Sequence, residues 1–179
     1  GRTFEELLQK GLRMIGQGMH GFVGNDHIKF DNIDEELANP TDLRIFAIAQ
    51  ALEEGYTIER IQELTKIDPW FIERMKNIVD FEKVLEGYDK IEDVPADVMR
   101  KAKMMGFSDF QIARFVFNRP EGNMEKENLA VRMHRKNLGV LPAVKRIPTV
   151  ASEHPDLTNY LYMTYSVEGY DVNYYKNEK

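Results

Sequence analysis

Gly55-Tyr56-Thr57-Ile58-Glu59-Arg60-Ile61-Gln62-Glu63-Leu64-Thr65-Lys66-Ile67-Asp68-Pro69-Trp70-Phe71-Ile72-Glu73-Arg74-Met75 holds two helix starts in one short run. Gly55 can take the left-handed conformation that ends a helix, and the Thr57 side chain can accept the free N–H groups that open the next. Asp68 then caps a further helix, in which Pro69 loses nothing at the first position. The single tryptophan, Trp70, follows with Phe71, Ile72 and Met75. This pattern predicts a helix-turn-helix corner, with Tyr56, Trp70 and Phe71 as its packed centre.

The device recurs at Gly106-Phe107-Ser108-Asp109-Phe110-Gln111-Ile112, which repeats the glycine, aromatic, hydroxyl cap and isoleucine. Gln111 stands three residues after Ser108, the spacing of a capping box. Phe107 and Ile112 join the expected core. Two copies fall short of the three or more units that a stacked solenoid needs. They read as two separate junctions built by one capping chemistry.

Elsewhere the apolar periodicity is helical. Thr3-Phe4-Glu5-Glu6 has capping-box form, and Phe4, Leu7, Leu8, Leu12 and Ile15 share one predicted face. From Phe22 to Leu37 the pattern is mixed and reads as a loop. Its Phe22, Ile28, Phe30 and Leu37 must cover a surface and are the candidate self-association residues. Helices are expected from Pro40 to Gly55, Pro69 to Gly87 and Pro95 to Gly106, then over a short run after Ser108 and a last one stopped by Gly139. Asn118 to Asn128 reads as a surface loop. Beyond Leu141 the β-branched and aromatic content predicts an extended tail, frayed from Asn173. The fold class is all-α: an irregular helical domain with two helix-turn-helix corners and an extended C-terminal tail.

With 179 residues, 42% of them hydrophobic, the chain can bury a real core. No apolar run approaches the roughly 20 residues of a membrane span, and no signal-peptide pattern opens the chain. The absence of cysteine excludes disulfides and thiolate chemistry and suits a reducing compartment, so a cytoplasmic location is expected. A net charge of −6 opposes generic binding to nucleic acid.

The chemistry-bearing residues form no constellation. Gly16-Gln17-Gly18-Met19-His20-Gly21 spells a dinucleotide fingerprint, but a helix precedes it where a strand is required. His20, His27, His134 and His154 are not paired at metal-site spacing, and Glu35-Glu36 and Glu53-Glu54 point apart on a helix. No catalytic, cofactor-binding or metal residue is assigned. The run Val131-Arg132-Met133-His134-Arg135-Lys136 has the form of a recognition helix, so an independent helix-turn-helix adaptor is the alternative.

Several segments together resemble a known family. Gly1-Arg2-Thr3-Phe4-Glu5-Glu6, Gln9-Lys10 and Leu12-Arg13 look like the last helix of the first ATP-grasp half of the carbamoyl phosphate synthetase large chain. Ile67-Asp68-Pro69-Trp70-Phe71, Gly106-Phe107-Ser108-Asp109, Gln111-Ile112-Ala113, Val131-Arg132, Leu138-Gly139-Val140 and Val144-Lys145-Arg146-Ile147 are similar to the helical oligomerisation domain that follows. Thr158 to Tyr165 resembles the segment leading into the second half, and the detail looks most like the fungal, arginine-specific form. Three features depart from the family pattern: Pro148 in place of aspartate, Ser152-Glu153-His154, and the length of the 118–128 insertion.

The resemblance implies three parts: 1–15 ending the first half, 16–140 as the oligomerisation domain, and 141–179 linking into the second half. It implies a non-catalytic spacer that self-associates and contacts the flanking ATP-grasp halves. The parent would be a ligase making carbamoyl phosphate for arginine or pyrimidine biosynthesis, with a glutaminase subunit or domain and a mitochondrial location as a further possibility. ATP, Mg and K are expected in its other domains and none in this chain. No nucleic-acid or membrane partner is implied.

Overall fold

The computed structural model describes residues 1–15, 18–118, 124–147, 160–167, 169 and 171. Within them run α1 (Phe4–Met14), α2 (Ile33–Ala38), α3 (Arg44–Glu53), α4 (Ile58–Thr65) and α5 (Pro69–Glu86). A single 3-10 turn (Ile91–Asp93) leads to α6 (Ala96–Met104), α7 (Asp109–Val116) and α8 (Glu125–Asn137). Strands β1 (Ala143–Arg146) and β2 (Leu161–Thr164) pair antiparallel, Ala143 opposite Thr164 and Arg146 opposite Leu161. The fold is therefore essentially all-α, and the small sheet lies in the stretch expected to be extended. Pro148, Ser152-Glu153-His154, the 173–179 end and residues 119–123 fall outside the described residues, while 125–128, expected as part of the loop, belong to α8.

Both corners form as their capping chemistry dictates. Gly55 and Gly106 each take φ +89. Thr57 Oγ1 accepts from Arg60 N, and Asp68 Oδ1 from Trp70 N. The capping box at Ser108 is complete, because Ser108 Oγ accepts from Gln111 N while Gln111 Oε1 accepts from Ser108 N. In α1 the box is displaced by one residue. Thr3 Oγ1 accepts from Glu6 N, but the Glu6 carboxylate turns to Arg2 N instead of the cap's own N–H.

The 18-residue α5 is the hub, in contact with α1, α3, α4 and α7. Its Ile72, Met75, Ile78, Val79 and Leu85 are buried, as the periodicity predicts. Phe107 and Ile112 are also buried, while Tyr56 is half-buried against the same core. Trp70 and Phe71 require a correction. They are 47% and 42% exposed, because they stand on the side of α5 turned away from its buried Ile72 and Met75. They gather with Phe4 at the surface, ring centroids 5.0–5.7 Å apart.

Three further expectations change. The α2 turn interrupts the stretch read as loop, started by Asn32 Oδ1 accepting from Glu35 N. Phe22 and Leu37 are fully buried, so neither can belong to a self-association surface, and Ile28 and Phe30 are partly buried against the same core. The reason is that the loop is tied down. Arg114 donates to Gly24 O and Asp26, and the Gln50 amide brackets both backbone groups of Phe30. Finally, α1 turns Glu5, Glu6, Gln9 and Leu12 inward and leaves Leu7 and Ile15 54% and 59% exposed.

Candidate functional site

The inward polar face of α1 meets the second corner. Gln9 Oε1 accepts from Phe22 N at 2.8 Å and from Gln111 Nε2 at 3.2 Å. Gln111, already the capping residue of α7, also reaches Val23 O and accepts from Arg13 Nη1 at 3.0 Å. Arg13 Nη2 donates to Gly106 O at 2.8 Å. One glutamine thus serves a helix cap and a contact across the fold, and α1 is fixed in rotation by hydrogen bonds that bury its polar side. An unmade bond here would carry a desolvation cost of about 1–3 kcal/mol.

The same helix holds the C-terminal hairpin. Thr164 Oγ1 donates to Glu6 Oε2 at 3.1 Å, and Lys10 Nζ bridges Glu6 Oε1 at 2.6 Å and Met163 O at 2.5 Å. Arg2 Nε donates to the Tyr162 hydroxyl at 2.7 Å. Burial works against the charge of Glu6, yet Lys10, the Arg2 N–H and Thr164 hold its carboxyl below the ordinary value. Glu6 and Lys10 lie one turn apart on one edge of α1, and Arg2, just before its cap, extends that line alongside β2.

Behind the hairpin lies a buried ion triad. Asp109 accepts from Lys103 Nζ at 2.6 Å and from Arg135 Nε at 2.8 and 3.0 Å. Lys103 also donates to Phe107 O, and Arg135 to Val140 O. The Tyr165 ring lies 5.2 Å from the Lys103 ammonium and 5.7 Å from the Arg135 guanidinium, so β2 continues directly onto the triad. Burial pushes the Lys103 ammonium down to about 8 against the pull of Asp109. The two cations overcome burial at Asp109 and hold its carboxyl below the usual range.

This arrangement is a polar clamp between α1, the second corner and β2, and its chemistry is positional. Among the described residues no group of three or more His, Asp or Glu is placed to hold a metal ion. No described helix is long and apolar enough to cross a membrane. His134 Nε2 is 2.9 Å from Val94 O, so that nitrogen carries the proton and the ring is a structural tie. Arg135, read in sequence as one of a basic row on a recognition helix, spends its charge on Asp109 inside the fold. Sequence reasoning missed Glu6, Gln9, Lys103, Asp109, Arg135 and Thr164 as a unit. The capping patterns at Gln111 and at Glu6 were the local signals touching it.

A separate acidic group sits beside α3. Burial first, then the negative charges of Glu53, Glu86 and Asp26, push the Glu82 carboxyl up to about 9, with Lys83 opposing. A carboxyl raised in the fold contributes most below its ordinary value of 4.5 and loses that contribution as pH climbs through about 9. Glu82→Gln is therefore expected to leave stability unchanged near pH 4.5 and to raise it at pH 9. The gain there is on the order of 3 kcal/mol, after allowing for relaxation around the charge. Urea unfolding of both forms across this range checks it, and parallel curves would show that Glu82 ionises freely in the fold.

Comparison with known proteins adds the family. A family model described as carbamoyl-phosphate synthetase large chain, oligomerisation domain, matches residues 1–139. Multifunctional protein CAD of Squalus acanthias is 48% identical over 177 residues, covering 98% of this chain and 7% of that protein. Multifunctional protein URA2 of Saccharomyces cerevisiae is 42% identical over 175 residues, 97% of this chain and 8% of its own length. The mitochondrial arginine-specific large chain of carbamoyl phosphate synthase from Neurospora crassa is 44% identical over 175 residues, 97% of this chain and 14% of its own. The chain thus spans only 7–14% of the length of these relatives.

Proposed function

The chain belongs to the carbamoyl-phosphate synthetase large-chain oligomerisation-domain family, and from that premise we propose that it acts without chemistry of its own, as the spacer and self-association module of such an enzyme. The observation that carries this reading is the clamp. Apart from Gln9 Nε2, which has no partner, the buried polar groups that join α1 to β2 and to the second corner bond to one another or to nearby backbone, so they are used in holding α1, β2 and the corner in register.

In the parent the two ends would connect to flanking ATP-grasp halves, where ATP, Mg and K would bind. The exposed apolar side chains Leu7 and Met14 on α1, with Leu161 and Met163 on β2, are the surfaces those halves would cover. The parent reaction would be synthesis of carbamoyl phosphate from bicarbonate and ammonia, the latter supplied from glutamine by a glutaminase subunit or domain. Relatives of multifunctional and arginine-specific kinds both match, so the proposal rests on their shared reaction and serves either pyrimidine or arginine formation. Its location would be cytosolic, or mitochondrial as the Neurospora relative's name has it.

For self-association we assign the outer face of α8. Leu129 and Met133 stand four residues apart, 58% and 51% exposed, on a helix whose inner face is committed to Val131 and Arg135. Sedimentation equilibrium is expected to give a mass that rises with concentration, and the double change Leu129→Glu, Met133→Glu is expected to leave a monomer. A monomer at every concentration in the unchanged chain would remove the self-association role.

A further inference from the structure

A pocket of about 520 Å³ lies between α1, α5 and α6. That volume is within the range of small-molecule sites, roughly 300–1,000 Å³. Its wall is apolar on one side, formed by Phe81, Val84, Met104 and Met105. Its rim is charged, and the charges are unevenly satisfied. Asp80 is paired with Lys76, and the buried Glu5 accepts from Asn77 Nδ2 at 3.0 Å. The cations are less well matched. Arg74 Nη1 is 3.8 Å from Glu5 Oε1, and its buried Nε has no hydrogen-bond partner. Lys101 has only the face of Phe81, at 5.2 Å, and no carboxylate among the described residues.

A guanidinium whose nearest carboxylate is 3.8 Å away and an ammonium with none among the described residues, over an apolar wall, call for one acceptor group with a hydrophobic body. We infer that this pocket binds a small amphipathic monocarboxylate, its acid group taken by Arg74 and Lys101 and its chain laid on Phe81, Val84, Met104 and Met105. Glu5 and Asp80 set the limit of one negative charge, because a second would face them. Arg74 is positioned from outside the pocket by the Trp70 ring, 5.3 Å away, which also gives that exposed tryptophan a task. The ligand would touch α1 and α5 together, and its binding would hold the first helix against the hub.

The test is calorimetric titration of the 179-residue chain with octanoate, and with octanol as its uncharged counterpart, read also by the methyl resonances of the methionines. Octanoate is expected to bind with a Kd of about 0.1–1 mM, as befits so small a ligand. Octanol is expected to be at least about tenfold weaker, and Lys101→Gln, which breaks no ion pair, to weaken octanoate by about fivefold or more. The Met104 and Met105 methyls should shift while Met19 and Met124 stay. Equal affinity for the alcohol, an unaffected Lys101→Gln chain, shifts spread over all the methionines, or absence of binding would each overturn the assignment.

Discussion

Asp109→Asn is expected to lower the unfolding free energy by about 3 kcal/mol, a large loss for a single change outside the apolar core. The change keeps the shape of the side chain but removes the charge that compensates two buried cations. Lys103 can answer by giving up its proton, since its ammonium is already pushed down to about 8. Arg135 has no such release, because its guanidinium stays charged at any relevant pH. The residual cost therefore sits on Arg135, whose side chain is 10% exposed. For a chain of this size the loss corresponds to a fall in Tm of about 6–12 °C. Because Tyr165 lies over both cations, the amides of β2 should also exchange faster with solvent. Arg135→Gln should cost less, since the Lys103–Asp109 pair survives it. A loss under about 1 kcal/mol for Asp109→Asn would mean that the triad is solvated and does not anchor the hairpin.

Gly106→Ala is the second large effect, and Gly55→Ala is its internal control. Both glycines have φ +89 in the same capping motif, so both pay about 1–2 kcal/mol for a left-handed alanine. They differ in what surrounds them. A Cβ on Gly55 meets nothing within 4 Å, whereas one on Gly106 meets Glu6 Cα at 2.9 Å and Gln9 Cβ at 3.0 Å. A backbone atom of α1 cannot swing aside as a side-chain tip can, so the whole helix must retreat. That retreat stretches the Arg13–Gly106 bond and the Gln9–Gln111 contact as well. Gly106→Ala should therefore cost about 2 kcal/mol more than Gly55→Ala by urea unfolding. Equal costs would place α1 farther from the corner than the structure has it.

The pair also shows what was legible in the sequence. The two corners read alike because caps are local: Thr57, Asp68 and Ser108 act within three residues of themselves, and each does what its spacing predicts. The apolar stripe of α5 was legible for the same reason. The rotation of α1 was not. Its apolar residues have helical period, but Gln9 and Glu6 have partners 102 and 158 residues away, and those bonds outweigh the stripe. Trp70 misled because aromatic content marks packing in general, while its burial depends on whether another element passes over the first turn of α5. Phe22 and Leu37 misled in the opposite sense. An irregular stretch reads as surface unless something pins it, and the pins, Arg114 and Gln50, lie on helices elsewhere in the chain. Apart from the capping patterns at Gln111 and Glu6, the clamp left no local trace, because its members are scattered from Arg2 to Tyr165.

The absence of cysteine makes the central claim directly measurable, since two introduced cysteines would be the only sites for a spin label. Met14→Cys on α1 and Leu161→Cys on β2 are both exposed, at 84% and 47%, and touch none of the clamp's hydrogen bonds through their side chains. Dipolar spectroscopy between the labels reads how firmly α1 and β2 are held together. The clamp predicts one narrow distance distribution, broadened when Asp109→Asn is added. A broad or two-peaked distribution in the otherwise unchanged chain would contradict it, and would make the helical domain a loose tether.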